Sequence, residues 1–362
     1  MNSIFKFPFY AKISLVFIGL FAFISMLCIA QRIIVPIIYA TIIAIVLSPV
    51  VDFFTQKKMN RIIAIAITVL LGSLAAILFI VLLSTQIMQF SDSFGKLIES
   101  FQHLSSQLVA WVSTTFNISP RKINLWLATK NVEMLNGVVA VVEQTLINTG
   151  SVLIVLILIP VYIFMILYYQ PLLLEFIHRV FNANTHADVN DVLRTTKKII
   201  RSYLIGLLIE GLIVAALNSI GLLIIGIDYA ILLGLIGAIL NVIPFIGGIL
   251  AVTLPIIITL ATKPPSYVLL VMGAYILIQF IDNHYLIPKI VASKVKINAL
   301  VSVIVVLLGG ALWGVPGMFL SIPLTAIIKV IFDHIEPLKP LGFLLGNNLP
   351  DIPKSSLIKN KI

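Results

Sequence analysis

The stretch from Tyr229 to Lys329 decides the fold of this chain. Its first apolar run, residues 230–262, reads AILLGLIGAILNVIPFIGGILAVTLPIIITLAT, and its second, residues 298–328, reads NALVSVIVVLLGGALWGVPGMFLSIPLTAII. A helix that crosses a bilayer needs only about 20 apolar residues, so each run is too long for one straight crossing. Both runs also contain residues that weaken or break a helix near their middle. These are Asn241, Pro244, Gly247 and Gly248 in the first run, and Gly309, Gly310, Gly314, Pro316 and Gly317 in the second.

Each interruption predicts a helical hairpin that enters and leaves the membrane on the same side. Backbone groups that are freed at membrane depth must be satisfied by protein or by water in a cavity. A pair of apolar segments interrupted by Gly and Pro is typical of a transporter binding site. We therefore predict that the two interruptions form a substrate site. The alternative is two long, kinked helices that only pack against their neighbours.

The composition of the chain indicates a polytopic membrane protein. Hydrophobic residues make up 60% and charged residues 10% of the 362 residues, and the mean hydropathy is +1.15, which is far from the balance of a soluble domain. The 24 Lys and Arg outnumber the 14 Asp and Glu, which gives a net charge of +10. In a membrane protein this excess indicates cytoplasmic loops that face anionic lipid, and not nucleic-acid binding. The single cysteine, Cys28, excludes an intramolecular disulfide.

The order of apolar runs and loops predicts an all-α integral membrane protein. We expect about six full transmembrane helices plus two re-entrant helical hairpins, eight hydrophobic segments in all, with an amphipathic helical extramembrane insertion. In that insertion, apolar residues recur at helical spacing from Phe90 to Trp111, and a second helical stretch begins at Ser119-Pro120. The predicted regions are an N-terminal three-span region (1–87), the extramembrane segment (88–150), a fourth span and basic loop (151–202), a span-hairpin-span-hairpin transport core (203–332) and a cytoplasmic C-terminal tail (333–362).

The lysines between the two long runs test the hairpin prediction. If each run crosses the membrane once, Lys289, Lys294 and Lys296 fall outside the cell. If each run is a hairpin, those lysines are cytoplasmic together with both termini, and only Lys263 of this region is outside. The positive-inside rule favours the hairpins. A span followed by a hairpin then occurs twice with opposite orientation, which is an inverted repeat.

Polar residues within the apolar segments are candidates for function. An ionisable group at membrane depth is energetically costly, and its presence there is by default a hypothesis of function. Glu210 lies within LLIEGLIV, and Gln279, Asp282 and Asn283 share one helical face at i, i+3 and i+4. That face could line a polar path, or could bond the exposed backbone of the neighbouring hairpin. Glu210 and Asp282 are candidates for ion or proton coupling, although Glu210 could instead be a structural partner for an amide or a lysine. Asn241 is well placed to satisfy freed backbone.

The chain contains no catalytic or nucleotide-binding motif. There is no HExxH, no GxSxG, no GxxxxGK[ST] and no pair of cysteines. We therefore expect neither an enzyme nor an ATP-driven pump, and neither a cofactor nor a bound metal.

Three motifs carry a resemblance to a known family. They are the run NVIPFIG at 241–247, the run QFIDNHYLIP at 279–288, and the run GGALWGVPGM at 309–318 that is followed by Pro323. Together with the rest of the chain they resemble the autoinducer-2 exporter family of bacterial membrane permeases. Glu210 departs from that pattern, since many relatives have an uncharged residue there, which suits a role special to this branch.

The resemblance implies a multi-pass transporter in the bacterial cytoplasmic membrane. It also implies a homo-oligomer, a pentamer in this family, and two helical hairpins near the substrate. Some members of the family are credited with export of a quorum-sensing furanone, and others with exchange of sodium or lithium for protons.

We expect a secondary transporter that exports a small polar metabolite through the two hairpin interruptions, with Gln279, Asp282 and Asn283 beside them. The first alternative is a Na⁺(Li⁺)/H⁺ antiporter that uses Glu210 or Asp282 as the exchanging carboxylate. The second alternative is a pentameric channel or scaffold without coupled transport. The expected partners are the lipid bilayer, a small molecule or ion as substrate, and further copies of the chain.

Overall fold

The computed structural model describes residues 8–116, 119, 149–181, 186–243, 247–291 and 297–347, and every regular element within those residues is helical. The predicted all-α architecture is thereby confirmed. The helices in chain order are α1 (Phe9–Ile29), α2 (Gln31–Gln56), α3 (Arg61–Phe116), α4 (Thr149–Val180), α5 (His186–Ile225), α6 (Ala230–Asn241), α7 (Gly247–Thr262), α8 (Ser266–Ile281), a π-helix (Asp282–Val291), α9 (Ala299–His334), a 3₁₀ turn (Glu336–Leu338) and α10 (Lys339–Leu345).

Seven helical segments in this part of the chain are long and apolar enough to cross a membrane. They span residues 9–29, 31–56, 61–90, 157–180, 188–225, 266–291 and 299–334. By contrast, α6 has 12 residues and α7 has 16 residues. At 1.5 Å per residue these helices are about 18 Å and about 24 Å long. Neither reaches across a hydrocarbon core of about 30 Å.

α3 is one unbroken helix of 56 residues. The sequence predicts a span that ends near Gln86 and a separate amphipathic helix, whereas the structure continues the span directly into that helix. At 1.5 Å per residue α3 is about 84 Å long, so more than half of it extends beyond the hydrocarbon core. The Phe90 ring meets the Tyr229 ring edge to face, with 5.3 Å between centroids. The second predicted helix, which begins at Ser119-Pro120, lies outside the described residues apart from Ser119.

α6 and α7 pack against each other as a pair. The start of α7 lies against the end of α6, because a Cβ on Gly247 would overlap the carbonyl oxygen of Leu240. Only glycine permits this close return of the backbone. The start of α6 and the end of α7 share one buried cluster, which contains Ala230 and Ile258. The two ends of the pair therefore lie at the same end of the molecule.

α9 folds back on itself at Trp313 and Gly314. Trp313 has φ −134° and ψ 16°, and Gly314 has φ 63° and ψ −145°, so the second residue occupies a region that glycine adopts readily. Gly309 and Gly317 would lie about 12 Å apart on a straight helix. Instead, a Cβ on Gly317 would overlap the carbonyl oxygen of Gly309. The two arms of α9 are therefore in backbone contact.

The beginning of α9 also meets the segment that follows its end. The Asn298 side chain caps the helix by accepting from the Val301 N–H at 2.8 Å. Its Nδ2 donates to the carbonyls of Leu344 and Gly346 at 2.8 Å and 3.1 Å. Since Leu344 lies in α10, shortly after α9 ends, the two ends of α9 also lie together.

α1 and α2 hold the bend of α9. The Trp313 indole Nε1 donates to the carbonyl of Leu27 at 3.1 Å, and the Tyr39 hydroxyl donates to the carbonyl of Pro316 at 3.1 Å. Tyr39 also stacks on Phe319, with 5.8 Å between ring centroids. The indole and the hydroxyl are thus both paired.

Candidate functional site

The polar residues of the transport core meet where α5, α6 and α8 pack together. Small residues permit that packing, as is usual between membrane helices. A Cβ on Gly234 of α6 would overlap Ser219 of α5, and a Cβ on Gly206 of α5 would overlap the carbonyl of Ile290 in the π-helix. The close contact brings Glu210 of α5 next to the end of α6.

Asn241 is the centre of the site. Its Nδ2 donates to Oε1 of Glu210 at 3.1 Å and to Oδ2 of Asp282 at 2.7 Å. Its Oδ1 accepts from Nε2 of Gln279 at 3.1 Å. Both hydrogens of the amide are therefore used, one by each carboxyl group. Two acidic side chains that are 31 and 41 positions from Asn241 in the sequence are held together by one amide.

Both acids are buried. The exposed fraction is 3% for Glu210 and 1% for Asp282. Among the described residues, neither carboxyl group has a Lys, Arg or His within 4.0 Å. Within the part of the chain that the structure describes, no N–H or O–H donor reaches the second oxygen of Asp282, Oδ1, and the carboxyl groups of Glu210 and Asp282 are close enough to share a hydrogen bond. Because a buried carboxyl oxygen without a donor is costly, a proton shared by the two acids would be stabilised here.

Gln279 and Asn283 extend the site towards its exposed side. Asn283 Nδ2 donates to Oε1 of Gln279 at 3.4 Å, and Asn283 is exposed. Gly248, at the start of α7, lies against the Gln279 amide, because a Cβ there would be 2.9 Å from Nε2. The predicted polar face of Gln279, Asp282 and Asn283 therefore meets the first interruption through Asn241 and Gly248.

Asp282 is the first residue of a π-helix that continues directly from the α-helix α8. α8 ends at Ile281, and the chain continues as a π-helix through Asp282–Val291. Pro288 lies within this segment and has no backbone N–H to give to an α-helical ladder. Segments of π-helix are frequent at functional sites. The sequence does not predict this change, although Pro288 marks the position where a regular α-helix fails.

The second interruption is built separately. Gly309 and Gly317 contact each other, Gly310 faces Met318, and the carbonyl of Pro316 bonds to Tyr39. No atom of the described residues, apart from its chain neighbours, lies within 4 Å of a Cβ placed on Gly314. Across the part of the chain that the structure describes, no hydrogen bond joins these residues to the Asn241 network.

The two interruptions nevertheless share an apolar core. Ile243, which follows Asn241 by two residues, is in one buried cluster with Val306 and Leu320 from the two arms of α9. Pro244, predicted to be part of the substrate site, lies outside the described residues. The structure thus brings together seven of the predicted site residues: Glu210, Asn241, Gly247, Gly248, Gln279, Asp282 and Asn283.

Within the described ranges, no group of three or more His, Cys, Asp and Glu side chains is arranged so that it could hold a metal ion. The site consists of two carboxyl groups, three amides and the backbone of a helix interruption. It can bind a neutral polar solute through hydrogen bonds, or a monovalent cation or proton through the acids.

The chain matches known proteins over most of its length. The model of the AI-2E family transporter matches residues 13–336. "Putative transport protein YueF" of Bacillus subtilis is 25% identical over 333 residues, covering 90% of this chain and 88% of that protein. "Putative transport protein YhhT" of Escherichia coli is 24% identical, covering 91% of each chain. "AI-2 transport protein TqsA" of Escherichia coli is 26% identical over 331 residues, covering 88% and 90%. The resemblance seen in the sequence motifs is confirmed, and the chain belongs to the AI-2E transporter family.

Proposed function

We propose that this protein is a secondary transporter that exports a small polar metabolite across the bacterial cytoplasmic membrane, with both chain termini in the cytoplasm. The single observation that carries this proposal is the Asn241 network, in which buried hydrogen-bonding groups converge at an interrupted membrane helix. The relative TqsA is named an AI-2 transport protein, and the solute that we propose is small, polar and either uncharged or weakly anionic. Amides and carboxylates are suitable partners for such a solute.

The α6–α7 pair and α9 are the two re-entrant hairpins of this proposal. Three features support it: α6 and α7 are each too short to cross, α9 is folded back with its arms in contact, and each unit has its two ends together. The segment that joins the two units, Ser266–Val291, is long enough to span the membrane. The units would then enter from opposite sides, as in transporters with inverted repeats.

Cysteine labelling tests this topology. Cys28 is the only cysteine, so Cys28→Ser gives a background without reactive thiols. Asp228, before α6, and Lys263, after α7, are each replaced by cysteine in that background. If α6–α7 is re-entrant, we expect a membrane-impermeant maleimide to label Asp228→Cys and Lys263→Cys from the same side, the outside, in intact cells.

Lys57→Cys and Lys339→Cys are the controls for the opposite side, and we expect them to be labelled only after permeabilisation. Lys57 follows α2, and Lys339 begins α10. Labelling of Asp228→Cys and Lys263→Cys from opposite sides would show that this segment crosses the membrane and would overturn the proposal of a re-entrant α6–α7 hairpin.

A second candidate function is exchange of Na⁺ or Li⁺ for protons. The observation that favours it is the pair Glu210 and Asp282, two buried acids that share one amide and have no cationic side chain within 4.0 Å among the described residues. Two negative charges this close in a medium of low dielectric repel each other. Binding of a proton or a monovalent cation relieves that repulsion, so the two ligands would compete for the same site.

Flux measurements in liposomes separate the two candidates. The protein is reconstituted with an internal pH dye, Na⁺ or Li⁺ gradients are imposed, and the parent is compared with Asp282→Asn and Glu210→Gln. As a metabolite exporter, the protein should move no protons in response to either gradient, and loss of one acid should lower solute export only in part. As an antiporter, it should show cation-driven proton movement that one of the two substitutions abolishes.

A control variant shows whether loss of one charge elsewhere in the protein changes the proton or solute flux. Glu336→Gln neutralises an acid whose side chain is 83% exposed and should leave both fluxes intact. If the parent moves neither protons nor any polar solute, and its size on a sizing column is that of a folded assembly, transport is overturned in favour of a structural role.

A further inference from the structure

A histidine at the end of α9 contacts an acid in the first turns of α5. His334 is the last residue of α9, and its Nε2 lies 3.0 Å from Oδ2 of Asp191. The other ring nitrogen, Nδ1, lies 2.7 Å from the carbonyl oxygen of Val330. Asp191 and His334 are 143 positions apart in the sequence, so their contact joins two distant parts of the chain.

Both nitrogens of the His334 ring need a proton to make these two contacts. A backbone carbonyl and an ionised carboxylate can only accept a hydrogen bond. A neutral imidazole has one N–H group, and only the imidazolium ion has two. The geometry therefore corresponds to the charged form of His334. Loss of one proton removes either the bond to Asp191 or the bond to Val330.

Asp191 has no permanent cation that could take the place of His334. No Lys or Arg of the described residues lies within 4.0 Å of the Asp191 carboxylate. The other charged groups of the elements that meet here are exposed or paired with one another: Lys329 with Asp333 on α9, Glu336 with Lys339 at the start of α10, and the exposed Asp188, Arg194 and Lys198 on α5. The contact between α5 and α9 therefore depends on a side chain that titrates near neutral pH.

The contact at His334 acts on the whole of α9, because the two ends of this helix are tied together. The backbone N–H of Asn298 donates to the carbonyl of Leu345 at 3.1 Å, in addition to the two bonds that the Asn298 side chain makes to the same segment. α10 also packs on the second arm of α9, since a Cβ on Gly342 would overlap Oδ1 of Asp333. An interaction that holds His334 therefore holds both arms.

We propose that Asp191 and His334 form a pH-sensitive contact, the α5–α9 latch, which is closed when His334 is charged and opens when His334 loses a proton. α5 is the span of the first span-hairpin unit, and α9 is the hairpin of the second. Alternating access in transporters with inverted repeats is largely movement of one unit against the other. The closed latch would favour the present arrangement of the two units. This regulatory role rests on the proposed export function, whereas the pH dependence of the contact itself does not.

The latch shifts the population of two arrangements and does not block movement completely. The side chains of His334 and Asp191 are 28% and 65% exposed, and exposed ion pairs are weak. We expect the ratio of closed to open molecules to fall about two- to fivefold when the proton is lost. Only the closed arrangement contains the bond that the charged ring makes. It is therefore favoured at low pH, and this advantage is lost as the pH rises.

Distances between spin labels test the latch without any measurement of transport. Asn190 on α5 and Ile335 after α9 are both exposed, and each is replaced by cysteine in the Cys28→Ser background. Pulsed EPR on the full-length protein in lipid nanodiscs gives the distance distribution at about pH 6 and about pH 8.5, on either side of the ordinary titration range of histidine. We expect one dominant distance at the lower pH and a larger share of longer distances at the higher pH.

Four variants make this test specific. Asp191→Ala removes the acceptor and His334→Gln removes the ionisable ring, so each should give one distribution at both pH values. His334→Lys keeps a permanent charge and should keep the shorter distance at both. His284 is the matched control, because its Nδ1 also meets the carbonyl four residues earlier, that of Phe280 at 3.0 Å, but no acid of the described residues lies within 4.0 Å of its ring. His284→Gln should therefore retain the pH dependence.

A parent distribution that is the same at both pH values, or a pH dependence that survives in Asp191→Ala, overturns the latch. Solute flux in liposomes then tests the regulatory role. At about pH 6 we expect Asp191→Ala to export about two- to fivefold faster than the parent, and at about pH 8.5 we expect equal rates. Equal or slower export by Asp191→Ala at the lower pH overturns the regulatory role. Absence of export by the parent overturns the export function, whereas the EPR result still decides whether the latch exists.

Discussion

Replacement of Asn241 by leucine should lower transport at least tenfold and destabilise the protein. Leucine has nearly the shape of asparagine but cannot donate to Glu210 and Asp282 or accept from Gln279. The two buried acids would lose the N–H group that they share, at 3.1 Å and 2.7 Å. Breaking hydrogen bonds to buried charged groups costs about 2–5 kcal/mol. Chemical unfolding in detergent micelles and flux in liposomes measure the two effects.

Two further variants show whether the amide itself is responsible. Asn241→Gln keeps the amide on a longer side chain and should retain part of the activity. Ile239→Ala alters the same helix at a position that is 46% exposed and should behave like the parent. If Asn241→Leu transports at the parental rate, the network is a packing feature and the proposed site is elsewhere.

Gly317→Ala should prevent α9 from closing. The new methyl group would overlap the carbonyl of Gly309, which is backbone and cannot rotate away as a side chain can. Overpacking of this kind costs on the order of 3 kcal/mol or more when the clash is with backbone. We expect little monodisperse protein after extraction and a thermal unfolding midpoint far below that of the parent, as measured by scanning fluorimetry.

A graded series makes this prediction specific. Gly310→Ala would meet the end of the flexible Met318 side chain at 2.6 Å, so it should destabilise the protein less. In Gly273→Ala the new methyl group would meet no other side chain or helix of the described residues within 4 Å, so this variant should be close to the parent. Equal behaviour of all three variants would mean that the arms of α9 separate without cost, contrary to the close contact in the structure.

The sequence predicts the helix interruptions well because glycine and proline act locally. Gly247 and Gly314 stand where the backbone must return sharply or adopt a positive φ, and these needs depend on a few neighbouring residues. The polar face of Gln279, Asp282 and Asn283 is equally local, since it follows from helical spacing. Both features can therefore be predicted without any knowledge of the tertiary structure.

Tertiary contacts are what the sequence does not predict. Nothing in the spacing of Glu210, Asn241 and Asp282 shows that one amide joins the two acids, because that depends on how α5, α6 and α8 pack. The continuous α3 was missed because a change from an apolar to an amphipathic pattern does not require a break in the helix.

The hydrogen bonds of the site all run in one direction. Asn283 donates to Gln279, Gln279 donates to Asn241, and Asn241 donates to both acids. Each amide therefore directs the positive end of its dipole towards the acids, and negative charge there is stabilised although no Lys, Arg or His of the described residues lies within 4.0 Å. Amide N–H groups do not release their protons at neutral pH, so this chain of amides transmits polarisation but insulates against proton hopping. A proton that reaches Asp282 must arrive by another route, through water or over the carboxyl groups themselves.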